Sequence, residues 1–291
     1  MNTNLPPLSQ VINQYGLLGN KGLSKSLGQN FLLDPGITRR IVAVALPLEG
    51  FDVIEVGPGP GGLTRSILDA NPDHLFAIER DSQCISALQG LIDLHGDRLT
   101  IINSDAKKVK AQKLSTNPIK IIANLPYNVG TMLLLQWLSD LGQIQSMTLM
   151  FQREVALRIT AMPGTSDYGR LSILCQYLCT VHRVFDLPPQ AFIPAPKVHS
   201  SVVHFVPKVL SADERTLLPF IEKITAAVFT QRRKMLRGSL RGVFSEDILM
   251  DVLEGCCIAP TERPENLTIS QFCQLAAALL NASSQLGQQE T

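Results

Sequence analysis

An amide side chain, a backbone carbonyl beside a proline and an aromatic face can together hold one flat base that carries an exocyclic amine. Asn124, Pro126 and Tyr127 supply those three groups within Ile122-Ala123-Asn124-Leu125-Pro126-Tyr127-Asn128. A short apolar, β-branched run (119–122) precedes the stretch, and an apolar segment of helical pattern (132–138) follows it. That context predicts the carboxyl end of a buried strand, where open α/β sheets keep their ligand crevice. An ordinary strand-to-helix turn uses the same residue types, so the stretch alone leaves both readings open.

A second constellation lies upstream. A buried-type strand over 51–56 runs into Gly57-Pro58-Gly59-Pro60-Gly61-Gly62, which is G-x-G-x-x-G opening a helix from Leu63. The pattern requires close backbone approach to a ligand and does not say which one. A strand over 74–78 ends in Glu79, 20 residues beyond Gly59, where a carboxylate accepts hydrogen bonds from ribose hydroxyls. NAD enzymes and S-adenosylmethionine enzymes share this arrangement. Three features favour the second. Glu55, two residues before the first glycine, can orient the loop or help hold a cationic amino-acid tail. Asp105, after a strand over 99–103, can accept a hydrogen bond from an adenine amino group. A dehydrogenase, moreover, has no need of the Asn-Leu-Pro-Tyr corner.

The rest of the chain must position these groups. Its 291 residues suffice for one large domain or two unequal ones. An apolar content of 45%, a charged content of 18% and a net charge of +1 fit a soluble enzyme whose basic surface, if any, is local. No run of 18 uncharged apolar residues predicts a membrane span, and residues 1–20 carry no basic residue or export signal. The six cysteines form no C-x-x-C pair, so buried thiols in a reducing cytoplasm are expected rather than a metal site. The five histidines are scattered and form no catalytic pattern.

Residues 1–24 read as a loosely held arm. Asp34-Pro35 predicts a helix start for 36–45. Asn30 and Leu32, just before it, are placed for a lid over a ligand, or simply to cap and staple that helix. Strands are expected over 146–151, 181–187 and 199–206, the last two as a hairpin-like pair, with helices over 153–161 and 168–178. The proline-stiffened loop 188–197 presents Phe192 as a candidate stacking platform, or as a core plug. Beyond 207 only helices are expected, over 212–228, 245–253 and 269–281, with a frayed tail from 282. Arg232, Arg233, Lys234, Arg237 and Arg241 lie in an acid-free run, 231–241. Helical spacing puts Arg233, Lys234, Arg237 and Arg241 near one face. Beside a base-sized pocket that face suits phosphate contact better than solvation alone.

These motifs together resemble the bacterial small-subunit (16S) ribosomal RNA adenine N6,N6-dimethyltransferase family. The matches are KSLGQNFL (25–32), EVGPGPGGLT (55–64), AIERD (77–81), SDA (104–106), ANLPYNV (123–129), QREV (152–155), YGRLS (168–172), FIPAPKV (192–198), FTQRRKML (229–236) and RPENL (263–267). Gly130 and Met132 stand where the family pattern has Ser and Pro, and His199 where an acid is usual; these flank the chemistry. The resemblance implies an α/β fold: a Rossmann-like, seven-stranded methyltransferase domain over 25–207, then a small all-helical, RNA-contacting domain over 208–291. It implies S-adenosylmethionine as cofactor, held by Asn30, Leu32, Gly57, Glu79, Asp105 and Asn124, and no metal. Tyr127 and Phe192 would stack the base. The implied substrate is two adjacent adenosines near the 3′ end of 16S rRNA, within the small subunit or its precursor. The enzyme would be cytoplasmic and monomeric. A ribosome-assembly RNA-binding factor without essential catalysis, a 23S rRNA or DNA adenine-N6 methyltransferase, and an NAD dehydrogenase are the alternatives.

Overall fold

The computed structural model describes residues 5–17, 29–230 and 234–289. The chain forms two compact units: one takes in residues up to 156 and again 182–207, the other 157–181 and 208 onward. One division falls after Pro207, and residues 157–181 go with the unit that begins again at Lys208.

The chain runs α1 (Leu8–Gln14), β1 (Phe31–Leu32), α2 (Pro35–Ala43), β2 (Asp52–Val56), α3 (Gly62–Asp69), β3 (His74–Glu79), α4 (Ser82–Ala87), α5 (Gln89–His95), β4 (Leu99–Asn103), β5 (Ile119–Asn124), α6 (Gly130–Leu138) and β6 (Ile144–Gln152). It continues through α7 (Arg153–Thr160), α8 (Arg170–Leu178), β7 (Cys179–Leu187), β8 (Phe192–Ile193), β9 (Ser200–Pro207), α9 (Ala212–Thr230), α10 (Leu236–Leu240), α11 (Glu246–Gly255) and α12 (Ile269–Gln289). Seven strands form one sheet in the order β4-β3-β2-β5-β6-β9-β7. The pairs β4–β3, β3–β2, β2–β5 and β5–β6 are parallel, and β9 lies antiparallel to β6. Every residue of β2 is buried, as is β5 up to Ala123. A strand covered on both faces reads as an unbroken apolar run, which is what 119–123 shows apart from Lys120. The chain builds outward from β2 through β3 to β4, then crosses back to β5 on the other side. That reversal opens a crevice outside the carboxyl ends of β2 and β5, where Gly57 and Asn124 stand.

The expected helix start is in place: Asp34 Oδ1 accepts from the backbone N–H of Gly36 at 2.6 Å and of Ile37 at 3.2 Å, with Pro35 in the first turn. Two expectations are corrected. Residues 5–17 are not a loose arm: they include α1, and Val11, Ile12 and Leu17 are buried against Phe31, Cys84 and Ala87. The C-terminal helix does not stop at 281; its backbone continues to Gln289.

In the second unit, Phe229 on α9 lies edge-on to Tyr168 (6.5 Å between centroids) and tilted against Phe272 of α12 (6.1 Å). The three rings belong to stretches far apart in sequence, and their contact explains why 157–181 joins this unit.

Candidate active site

One cavity gathers Asn30, Leu32, Gly57, Glu79, Asp105, Asn124, Pro126 and Tyr127, all eight singled out from sequence. Each stands at or just beyond the carboxyl end of a strand, or on or immediately before the lid strand β1.

The glycine loop forms the first wall. Gly57, Gly59 and Gly61 have φ of +70°, +56° and +91°, a region L side chains rarely adopt. A Cβ on Gly59 would stand 2.8 Å from the Phe31 ring, and one on Gly62 would meet the Leu32 carbonyl oxygen. The loop is therefore pressed against the lid strand, with no room for side chains at Gly59 and Gly62. The lid strand is held by the proline loop, with Leu32 opposite Phe192 and Phe31 opposite Ile193.

Two carboxyls face this wall. Glu79 Oε1 accepts from the backbone N–H of Arg80 at 2.8 Å and of Asp81 at 2.9 Å, while Oε2 accepts from Gly59 N–H at 3.3 Å. The side chain thus ties the glycine loop to the end of β3. Burial raises its pKa, and the three N–H donors act against that rise. Glu55 is 1% exposed, and its Oε2 has no hydrogen-bond partner among the described residues. Burial pushes its pKa up to about 8; the Thr64 hydroxyl acts the other way, though no well-formed bond joins the two, and the Glu79 charge adds to the rise. An orphaned buried carboxyl beside a glycine cradle fits a nucleoside with a cationic tail.

Asp105 lies at the rim. Its Oδ1 accepts from Lys107 N–H at 3.0 Å. That bond first, then Lys107 Nζ at 3.4 Å and Arg80 at 3.8 Å, hold its pKa below the usual value.

The opposite wall is the Asn124 corner. Asn124 Nδ2 donates to the Asn30 carbonyl at 2.9 Å, so one end of the amide is committed to the lid and Oδ1 remains as its acceptor. Tyr127 OH is 2.7 Å from Ser200 Oγ, which fixes the ring, and burial raises the phenol pKa. The Pro126 carbonyl accepts from Val129 and Gly130 N–H at 3.1 and 3.0 Å. Both its lone pairs close the turn, so the backbone carbonyl expected beside the proline is not that of Pro126 itself. The Leu125 carbonyl is the backbone acceptor left beside it.

Phe192 is also corrected. It is 2% exposed, sits in the apolar core with Leu32 and does not line the cavity. A stacking platform needs an open ring face, and this ring has none. The basic run divides in two. Arg232 and Arg233 lie outside the described residues. Lys234, Arg237 and Arg241 are exposed; Lys234 precedes α10, while Arg237 lies on that helix and Arg241 caps it four residues on, so of the three those two share a helical face. Arg241 pairs with Glu246 at 3.1 Å. The groups not singled out from sequence are Gln29, Phe31, Leu125 and Ser200. Phe31 stands between two residues that were, but nothing local shows that its ring reaches Gly59.

The description "Ribosomal RNA adenine dimethylase" names a family model that matches residues 20–280. The chain belongs to that family. It is 49% identical over 279 residues to the ribosomal RNA small subunit methyltransferase A of Sinorhizobium medicae, covering 94% of this chain and 98% of that protein. Identity to the protein of the same name from Rhizobium meliloti is 50%, with the same coverage. Among solved structures, a dimethyladenosine transferase from Plasmodium falciparum matches with a TM-score of 0.74 at 26% identity, over 83% of this chain and 94% of that one. The 23S rRNA methyltransferase ErmE matches with a TM-score of 0.66 at 22% identity, over 86% and 99%, a likeness of fold. Family membership agrees with the α/β sheet, the glycine cradle and S-adenosylmethionine as donor. No helix among the described residues is long and apolar enough to cross a membrane.

Proposed function

We propose that this chain transfers methyl groups from S-adenosylmethionine to N6 of two adjacent adenosines near the 3′ end of 16S rRNA. It acts on the small subunit or its precursor, as a monomer in the cytoplasm. One observation carries the reading. A single crevice opposes the glycine loop, Glu79 and Asp105 to an asparagine amide whose nitrogen is already occupied.

The donor's sulfonium supplies an activated methyl group, so the difficulty lies in the acceptor. An adenine amino nitrogen is a poor nucleophile because its lone pair is delocalised into the ring. Asn124 Oδ1 and the Leu125 carbonyl accept its two N–H bonds, which localises the lone pair and favours the positive charge that grows on nitrogen. Asn30 holds the Asn124 amide in the one orientation that presents oxygen. Tyr127, braced by Ser200, stacks on the base after it leaves its neighbours. The methylated nitrogen is acidic and gives up its proton to water without a strong base. Glu55 meets the donor's ammonium group, and Lys234, Arg237 and Arg241, with Arg232 and Arg233, meet phosphates.

The test is methyl transfer to unmethylated small subunits with nucleoside analysis of the product. N6,N6-dimethyladenosine is expected, and none from duplex DNA or large subunits. Binding to the subunit without transfer would instead support an assembly factor. Tyr127→Ala is expected to lower turnover by about 10- to 100-fold through lost stacking, and Tyr127→Phe much less. Full activity in the alanine variant would refute the stacking role.

Glu55 gives a pH dependence. Its carboxyl takes up a proton near pH 8 when folded and near 4.5 when unfolded. Between those values the folded state binds more protons, so the contribution to stability present below about pH 4.5 is lost as pH rises to about 8. Glu55→Gln is expected to gain on the wild type by a few kcal/mol between pH 5 and pH 8.5, on the order of 1.4 kcal/mol per pKa unit. Denaturant unfolding of the donor-free protein at both pH values checks this; parallel profiles would show an ordinary carboxyl.

A further inference from the structure

We infer that the N-terminal helix α1 is a positioning element for the methyl donor, acting through Phe31. The inference rests on the donor occupying the crevice described above.

The cluster of Val11, Ile12, Leu17, Phe31, Cys84 and Ala87 is one buried apolar core, separate from the main core of the sheet. Its only member that also lines the crevice is Phe31. That ring therefore belongs to the core shared with α1 and α4, and its Cδ1 and Cε1 lie 2.8 Å from where a Cβ on Gly59 would be. The next residue back, Asn30, accepts the hydrogen bond that orients Asn124, and Gln29 donates to Asp81 Oδ2 at 2.9 Å at the start of α4. The segment 29–32 thus links the glycine loop, the acceptor amide and α1. A second anchor lies on α3: Arg65 donates to the Pro6 carbonyl at 2.8 Å, and Leu8 lies 3.5 Å from where a Cβ on Gly62 would be.

A helix of seven residues is not stable alone in water, so α1 persists only while docked. With the arm undocked, Phe31 loses three apolar neighbours and half its reason to lie on the loop. The donor then binds a population in which the lid is only partly in place, and its apparent affinity falls by that fraction. Linkage makes the effect reciprocal: donor binding must hold α1 down as firmly as α1 holds the donor.

The experiment uses the full chain and S-adenosylhomocysteine as the probe. Ile12→Asp is expected to raise the dissociation constant by about tenfold or more, while turnover at saturating donor stays within about threefold. Ile12→Val should restore wild-type affinity. Independently of any variant, exchange of the Tyr15 and Leu17 amides, which bond to Val11 and Ile12 carbonyls at 3.0 and 2.9 Å, should slow when the probe is added to the wild type. Unchanged exchange, or an Ile12→Asp variant that binds as the wild type does, overturns the inference. Glu79→Ala separates the two levels: if it binds the probe normally, the donor site itself is misplaced. If it loses binding while α1 is unresponsive, only the role of α1 falls.

Discussion

Asn124→Ala is expected to lower methyl transfer to small-subunit RNA by about 10²- to 10³-fold, the usual cost of removing one preorganised hydrogen-bonding group aimed at developing charge. The loss should fall mainly on the chemical step. The truncated residue no longer accepts an N6–H bond, and the amine keeps its lone pair in the ring. Donor affinity should change less, because the glycine loop, Glu79 and Asp105 are untouched; the part that does change reflects the lost bond to the Asn30 carbonyl at 2.9 Å. Asn124→Asp is the sharper variant. It keeps an acceptor oxygen but replaces the Nδ2 donor by a second oxygen facing that same carbonyl, so it should also loosen the lid. Single-turnover rates, set beside the dissociation constant of S-adenosylhomocysteine, separate the two effects. A variant with alanine here that transfers methyl at the wild-type rate would remove this residue from the mechanism.

Gly59→Ala is expected to weaken donor binding by about 10- to 100-fold because the added methyl displaces a wall of the donor site, and to cost on the order of 1–3 kcal/mol of stability through backbone strain. Gly59 holds a φ of +56°, and its Cβ would lie 2.8 Å from Cδ1 and Cε1 of Phe31. A flexible side chain could step aside; this ring is 6% exposed and held in a buried cluster with Val11, Ile12 and Leu17. The methyl must therefore displace either the lid strand or the loop, and both are walls of the donor site. Gly50→Ala provides the control. Its φ is +81°, but no atom lies within 4 Å of the added Cβ, so it should cost stability and leave donor affinity alone. Equal effects at the two glycines, measured by calorimetric titration and thermal unfolding, would show that strain alone decides.

The chain itself made the crevice legible. A β-branched run ending in glycines, a carboxylate 20 residues beyond Gly59 and an Asn-Leu-Pro-Tyr corner after another buried run are local patterns. Local patterns survive folding because strand ends and turns obey short-range sterics. Gly57, Glu79, Asn124, Pro126 and Tyr127, singled out this way, meet in one cavity with Asn30, Leu32 and Asp105. The basic run was legible as charge but not as geometry. Its helical spacing assumed one continuous helix, whereas Lys234 and Met235 lie outside α10, which begins at Leu236.

What the tertiary structure alone decided concerns groups whose partners are remote in sequence. Phe192 looked like a presented aromatic, but pairing of its strand with Phe31–Leu32 turns the ring into the core. The sequence placed a backbone acceptor near Pro126 without saying which one, and the turn that closes on the Pro126 carbonyl leaves that of Leu125. The arm looked loose because seven residues of mixed polarity carry no helix signal of their own; burial of Val11 and Ile12 against α4 supplies what propensity lacks. Residue types and short spacings thus determined which chemistry this protein can do. Which oxygen does it, and what holds that oxygen still, depended on contacts between residues remote in the chain, 94 positions apart for Asn30 and Asn124, because hydrogen bonds and packing act through space rather than along the chain.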